Sequence, residues 1–140
     1  MENELKSKYD DYKLKRGDII VMGIVGLPVE HIAIFDGEKI YENRILEQVS
    51  YVSVEEFFNQ YQWWDIKTIY RHTNNEIELQ EIFKRANTLL GKKYHVLKYN
   101  CEHFIDDILN TRRRSESLEK TGYLTGGILF GLALGFLLKR

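Results

Sequence analysis

Residues 31–43, HIAIFDGEKIYEN, contain two short apolar runs that are separated by the pair Asp36-Gly37. Asp-Gly between runs of this kind is a strong β-hairpin signal, because it suits the tight turns that join antiparallel strands. The preceding run, from Gly17 to Gly26, is rich in β-branched residues and ends before Pro28. It predicts a further strand. These residues therefore predict a small antiparallel sheet.

Residues 44–71 extend this sheet. Val49 to Ser53 and Trp64 to Arg71 have the composition of strands. Between them, Val54 to Tyr61 is predicted to form a short helix, which Ser53 caps with Glu56 three residues further on.

After Asn75 the apolar period becomes helical. A helix is predicted to end at Gly91, with one apolar face formed by Ile77, Ile82, Phe83, Ala86, Leu89 and Leu90. After an extended segment, apolar residues at helical spacing predict a second helix from Cys101 to Leu109. The predicted fold class is α+β, with an antiparallel sheet packed against helices.

Composition limits the classes of function. The chain of 140 residues has a formal net charge of −1, so it has no global basic field for nucleic acid, and no nucleic-acid partner is expected. Its single cysteine excludes an internal disulfide framework. The charged N-terminal residues lack a signal-peptide core, so secretion by a cleaved signal is not expected.

The far end of the chain is very apolar. The 16 residues from Tyr123 to Leu138 carry no charge and would span about 24 Å as a helix, near the lower limit for crossing a bilayer. Gly127, Gly131 and Gly135 fall along one helical face, which suits close helix packing and possible self-association in lipid. A C-terminal hydrophobic helix that anchors the protein in a membrane is therefore predicted, as a single-pass or tail anchor.

Cys101 is the candidate nucleophile. The first turn of a helix offers free N–H groups and the positive end of the dipole, both of which stabilise a thiolate. His103 is only two residues away on the same helix and is interpreted as structural. The residues alone leave the choice of base open between His31 and the exposed candidates His72 and His95.

Three motifs carry a resemblance to a known family. Asn100 to Phe104, NCEHF, resembles the cysteine motif of the lecithin:retinol acyltransferase family, and Leu14 to Asp18, LKRGD, resembles its opening LKPGD. His31 to Gly37 is similar to the HWAIYVGDG strand and turn. The similarity runs from about Leu14 to Leu109 and is closest to the small H-rev-type phospholipase/acyltransferases, which also carry apolar C-terminal anchors.

The resemblance implies a circularly permuted NlpC-like papain fold. It maps the nucleophile to Cys101 and the base to His31. The family's second histidine, twelve residues after the first, falls on Asn43, a departure that still supplies a carbonyl to orient the base. Glu42 is expected to face the other side of its strand because strand side chains alternate.

The function implied is that of a membrane-associated phospholipase A or acyltransferase, acting on glycerophospholipid esters through a Cys101 thioester. The backbone N–H of Cys101 is the expected oxyanion donor, and water, an amine or a hydroxyl is the acyl acceptor. No cofactor and no metal are expected. The predicted organisation is a polar segment (1–13), a catalytic domain (14–111) that is expected to be cytoplasmic, a basic linker (112–120) with Arg112 to Arg114, and the anchor (121–140).

Two other functions remain open. NlpC-type domains on the same scaffold cleave cell-wall peptides, so a cysteine peptidase or amidase is one alternative; the apolar tail and the lack of an export signal count against it. The other is a catalytically idle module that interacts with membranes.

Overall fold

The computed structural model describes residues 12–110. Five strands and three helices follow one another in the order β1 (Asp18–Gly23), β2 (Glu30–Phe35), β3 (Lys39–Asn43), β4 (Val49–Ser53), α1 (Val54–Gln60), β5 (Asp65–Arg71), α2 (Glu76–Thr88) and α3 (Cys101–Leu109). Every element predicted from the sequence in this part of the chain is present, with ends that differ by a few residues at most.

The five strands form one antiparallel sheet in the order β4-β3-β2-β1-β5. The predicted hairpin joins β2 to β3: Gly37 adopts a φ of 104°, and the Asp36 side chain accepts hydrogen bonds from the N–H groups of Glu38 and Lys39. One end of the sheet bears Gly23, Glu30, Asn43, Val49 and Asp65, as the register of the strands shows. It is called the thiol end below, because Cys101 lies there.

The sheet is covered on both faces. Side chains alternate along β2, so Ile32 and Ile34 pack with α2 and α3, whereas Ala33 and Phe35 pack with the aromatic residues of α1. The α+β fold class is therefore confirmed. The circular permutation implied by the resemblance stays a prediction.

The helix α2 corrects one detail of the sequence interpretation. Its buried residues are Leu79, Ile82, Phe83 and Ala86, at the spacing of one helical face. Ile77 precedes Leu79 by two residues and so points about 200° away from it, which leaves Ile77 73% exposed. Leu90 lies beyond the end of the helix and is 37% exposed. The predicted apolar face was wrong at these two positions.

The predicted C-terminal anchor, its glycine face and the basic linker lie outside the described residues, as does nearly all of the polar N-terminal segment. Between Tyr12 and Asn110, none of the helices has the length and apolar character that crossing a membrane requires. The proposed domain boundaries stay predictions.

Candidate active site

The first turn of α3 presents the thiol. Asn100 caps this helix: its side-chain oxygen accepts hydrogen bonds from the N–H groups of Glu102 and His103, while His103 Nδ1 accepts one from the Asn100 N–H. This reciprocal capping box confirms that His103 has a structural role. The N–H of Cys101 takes no part in the cap, so it is free to face a ligand at the helix N-terminus.

The thiol lies against the beginning of β2. Cys101 Sγ is 3.7 Å from the carbonyl oxygen of Glu30, the residue before His31. Helix α3 packs across β2 and β3, so its N-terminus reaches the thiol end of the sheet. Cys101 retains only 6% of its surface exposed.

His31 is fully buried beside Cys101. Its Nε2 atom lies 3.1 Å from Glu42 Oε1, and the same oxygen accepts a short hydrogen bond from the Tyr61 hydroxyl. The other ring nitrogen, Nδ1, makes no hydrogen bond to an oxygen or nitrogen of the described residues. It is therefore the ring atom left for the Cys101 sulfur, whose interaction with the imidazole is strong enough to affect the His31 pKa.

The expectation that Glu42 faces away from His31 was wrong, and Asn43 does not orient the ring. Asn43 Nδ2 donates instead to the carbonyl oxygens of Tyr99 and Asn100, 3.0 and 3.1 Å away. Asn43 thus fastens β3 to the segment that leads into Cys101.

The cause of this error is the register of the hairpin. Phe35 pairs with Ile40, so four residues separate the paired positions, and odd-numbered residues of β2 share a face with even-numbered residues of β3. Any hairpin turn with an even number of residues, including a two-residue Asp-Gly turn, places odd-numbered residues of β2 on the same face as even-numbered residues of β3. The Asp-Gly turn therefore already indicated that Glu42 shares a face with His31, whereas the family's spacing of twelve residues indicated Asn43 instead.

Electrostatics favours a charged imidazole at His31. Complete burial by itself would lower the pKa of His31, but the interactions of the ring with Cys101 and Glu42 outweigh this effect. The result is a His31 pKa raised to about 9. At neutral pH this arrangement favours the protonated imidazolium form of His31.

Aromatic side chains of α1 and the following loop enclose the ring. Tyr61 stacks on His31 with 4.6 Å between ring centroids, and Phe57 and Trp64 lie at 6.3 and 6.2 Å. Burial, together with the charge of Glu42, raises the pKa of Tyr61 well above its usual value, so this hydroxyl keeps its proton and remains a donor to the carboxylate. Water is excluded from the His31–Glu42 pair.

The other histidines lie elsewhere. His72 is exposed and lies 3.7 Å from Glu78, and exposed His95 accepts hydrogen bonds from the N–H groups of Leu97 and Lys98. Of the candidates that the residues alone left open, His31 is the one that the fold brings to Cys101.

A family comparison adds to this geometry. The model of the family described as lecithin retinol acyltransferase matches residues 29–114, more than half of the chain. The chain belongs to this family. The match begins just before β2 and includes His31, Glu42 and Cys101. Membership of the lecithin retinol acyltransferase family indicates activity of the acyltransferase or phospholipase type. Comparisons with curated proteins and with solved structures gave no match.

Proposed function

We propose that this protein is a cysteine-dependent phospholipase A or acyltransferase, which transfers an acyl group from a glycerophospholipid ester through a thioester on Cys101. The observation that carries the proposal is the buried series Cys101, His31 and Glu42, in which a thiol at a helix N-terminus adjoins an imidazole held by a carboxylate. Family membership supports the acyl-transfer chemistry.

In the first half-reaction the Cys101 thiolate attacks the ester carbonyl carbon. The carbonyl oxygen becomes an oxyanion, which the N–H of Cys101 is placed to stabilise at the start of α3. As the C–O bond of the ester breaks, the His31 imidazolium donates its proton to the departing alkoxide, and a lysophospholipid leaves. The acyl group remains on sulfur.

In the second half-reaction an acceptor releases the acyl group. Neutral His31 takes a proton from water, an amine or a hydroxyl as that group attacks the thioester carbonyl, and Cys101 departs as thiolate. Water gives net phospholipase activity, whereas an amine or hydroxyl gives acyl transfer.

Glu42 is proposed to orient the base. Its carboxylate accepts a hydrogen bond from Nε2–H, so the ring presents Nδ1 to the sulfur, and its charge stabilises the imidazolium more strongly than an amide would. Tyr61 holds the carboxylate in place through its hydroxyl. Asn43 contributes by holding the backbone at Tyr99 and Asn100 beneath the nucleophile helix.

Membrane association is part of this proposal and rests on the sequence. The uncharged run from Tyr123 to Leu138 is the proposed anchor, with the catalytic domain on the cytoplasmic side, and Arg112 to Arg114 would lie near anionic head groups. An anchor of this kind would supply lipid substrate at high local concentration.

The test is fatty-acid release from phosphatidylcholine vesicles, followed by mass spectrometry, for the full chain and its Cys101→Ala variant. His72→Ala serves as the matched control, because this exposed histidine follows β5 at the end of the sheet opposite the thiol and lies beside Glu78. We expect release by the parent and by the control, and loss of release in Cys101→Ala. Undiminished release by Cys101→Ala would refute the proposal.

A further inference from the structure

The thiol end of the sheet bears large apolar side chains that the core does not use. Val25 and Leu27, in the loop between β1 and β2, are 84% and 40% exposed, and Trp63, just before β5, is 78% exposed. These three residues are called the apolar rim. Large apolar side chains exposed together at one end of a domain are typical of an interaction surface.

The strand register places the apolar rim beside the thiol. Gly23 pairs with Glu30 on one side and with Asp65 on the other, so the loop after β1 and the segment before β5 emerge next to each other. Glu30 is also the residue whose carbonyl oxygen lies 3.7 Å from Cys101 Sγ. The rim therefore borders the end of the sheet from which a substrate must approach Cys101.

A basic segment lies at the same end of the sheet, along the β4 edge. Residues 91–99, GKKYHVLKY, contain three exposed lysines, Lys92, Lys93 and Lys98, and no acidic residue. Hydrogen bonds from Gly91 N to Val49 O and from Tyr94 N to Glu47 O fasten this segment to the thiol end. The thiol end thus carries exposed apolar side chains near β1 and β5 and lysines near β4. This combination matches the interface of a bilayer, where apolar groups enter the acyl region and ammonium groups meet lipid phosphates.

We propose that the apolar rim docks on the surface of a phospholipid bilayer and so brings the ester bonds of membrane lipids to Cys101. Val25, Leu27 and Trp63 enter the interfacial region, and the lysines of residues 91–99 contact anionic phosphates. The inference rests on the proposed function for its purpose, but the docking itself is independent of catalysis and of the C-terminal anchor. The apolar rim is then the part of the catalytic domain that faces the membrane.

The first experiment measures quenching of tryptophan fluorescence by phosphatidylcholine that carries bromine on its acyl chains, in vesicles that also contain phosphatidylserine. The full chain has two tryptophans, and Trp64 is buried in the core at 2% exposure, so the difference between the parent and Trp63→Phe reports on Trp63. Ile77 is the matched control position, since it is 73% exposed at the start of α2, beyond the opposite end of the sheet.

We expect bromolipid to quench the parent strongly, Trp63→Phe to lose most of this quenching, and an indole moved to the control position by Ile77→Trp in the Trp63→Phe chain to stay unquenched. The same result is expected in the Cys101→Ala chain, which separates docking from catalysis. Quenching that is equal in the parent and in Trp63→Phe, or as strong from position 77 as from position 63, would overturn the proposal.

The second experiment compares two substrates for Val25→Ser/Trp63→Ser and for Ile77→Ser. One substrate is vesicle phospholipid, and the other is p-nitrophenyl butyrate, which dissolves as a monomer. For the rim variant we expect turnover of vesicle lipid to fall at least about tenfold, since two exposed apolar anchors are lost, with turnover of the soluble ester within about twofold. Ile77→Ser should match the parent on both substrates.

An equal loss on both substrates, or equal loss in Ile77→Ser, would contradict a docking role. If the parent and Cys101→Ala hydrolyse both esters equally, the proposed catalysis fails, and the quenching experiment still decides whether the rim docks.

Discussion

Replacing Glu42 by glutamine tests how the site is charged. The variant keeps the shape of the side chain and removes the charge that faces His31 Nε2 at 3.1 Å. An opposite charge at hydrogen-bonding distance shifts a pKa by about 1–3 units, so the His31 pKa, about 9 in the parent, should fall toward 7 in Glu42→Gln. The imidazolium that donates to the leaving alcohol would then be scarce above neutral pH.

The assay is the pH profile of kcat/KM for fatty-acid release. In the parent the alkaline limb should lie near pH 9, the pKa of His31. In Glu42→Gln we expect this limb to move down by about 1–3 units. A shift of about two units, to a pKa near 7, lowers the rate at pH 8.5 by about 25-fold and has little effect at pH 6.

Glu38→Gln is the matched control, because it makes the same charge change at an exposed position of the β2–β3 turn. Its profile should coincide with that of the parent. An unmoved alkaline limb in Glu42→Gln, or an equal shift in Glu38→Gln, would refute the argument that the carboxylate beside the ring controls its protonation.

Three further predictions follow from the same contacts. The His31 pKa is raised from 6.5 to about 9, so protonated His31 contributes about 3 kcal/mol to the free energy of unfolding. This contribution should be complete below pH 6.5 and lost as the pH rises through 9. Urea unfolding of the parent and of His31→Gln at several pH values would measure it. A difference that grows with pH would show the sign to be wrong. Asn43→Ala removes two hydrogen bonds, one to the carbonyl of Tyr99 and one to that of Asn100, although each carbonyl keeps a backbone donor in the N–H of His95 or Phe104. The loss should cost about 1–3 kcal/mol in thermal unfolding, while the alkaline limb of kcat/KM stays near pH 9; a shifted limb would restore Asn43 to the orienting role. Iodoacetamide should label Cys101 at pH 7 faster in the parent than in Glu42→Gln, and absence of labelling in the parent would favour an idle module over an enzyme.

Much of this fold could be predicted from local patterns. The Asp-Gly pair, the Ser53 cap and the NCEHF motif are signals within a few residues, and each corresponds to an element boundary in the structure. The predicted face of α2 failed at Ile77 because periodicity alone does not say where the buried stripe begins.

The site was harder to predict because it depends on contacts between distant segments. Glu42 meets His31 through strand register and meets Tyr61 through the packing of α1 on the sheet. Asn43 meets residues 99 and 100 across more than fifty positions of sequence. The apolar rim likewise depends on the pairing of Gly23 with both Glu30 and Asp65, which local pattern does not specify.

The central claim concerns a covalent intermediate on one sulfur, and intact-protein mass spectrometry after brief exposure to phosphatidylcholine vesicles tests it most directly. We predict an added mass of one fatty acyl group, localised to Cys101 by peptide mapping, released by neutral hydroxylamine, and absent from the Cys101→Ala and His31→Gln chains. An adduct on any other residue, or an equal adduct in the Cys101→Ala chain, would contradict the account.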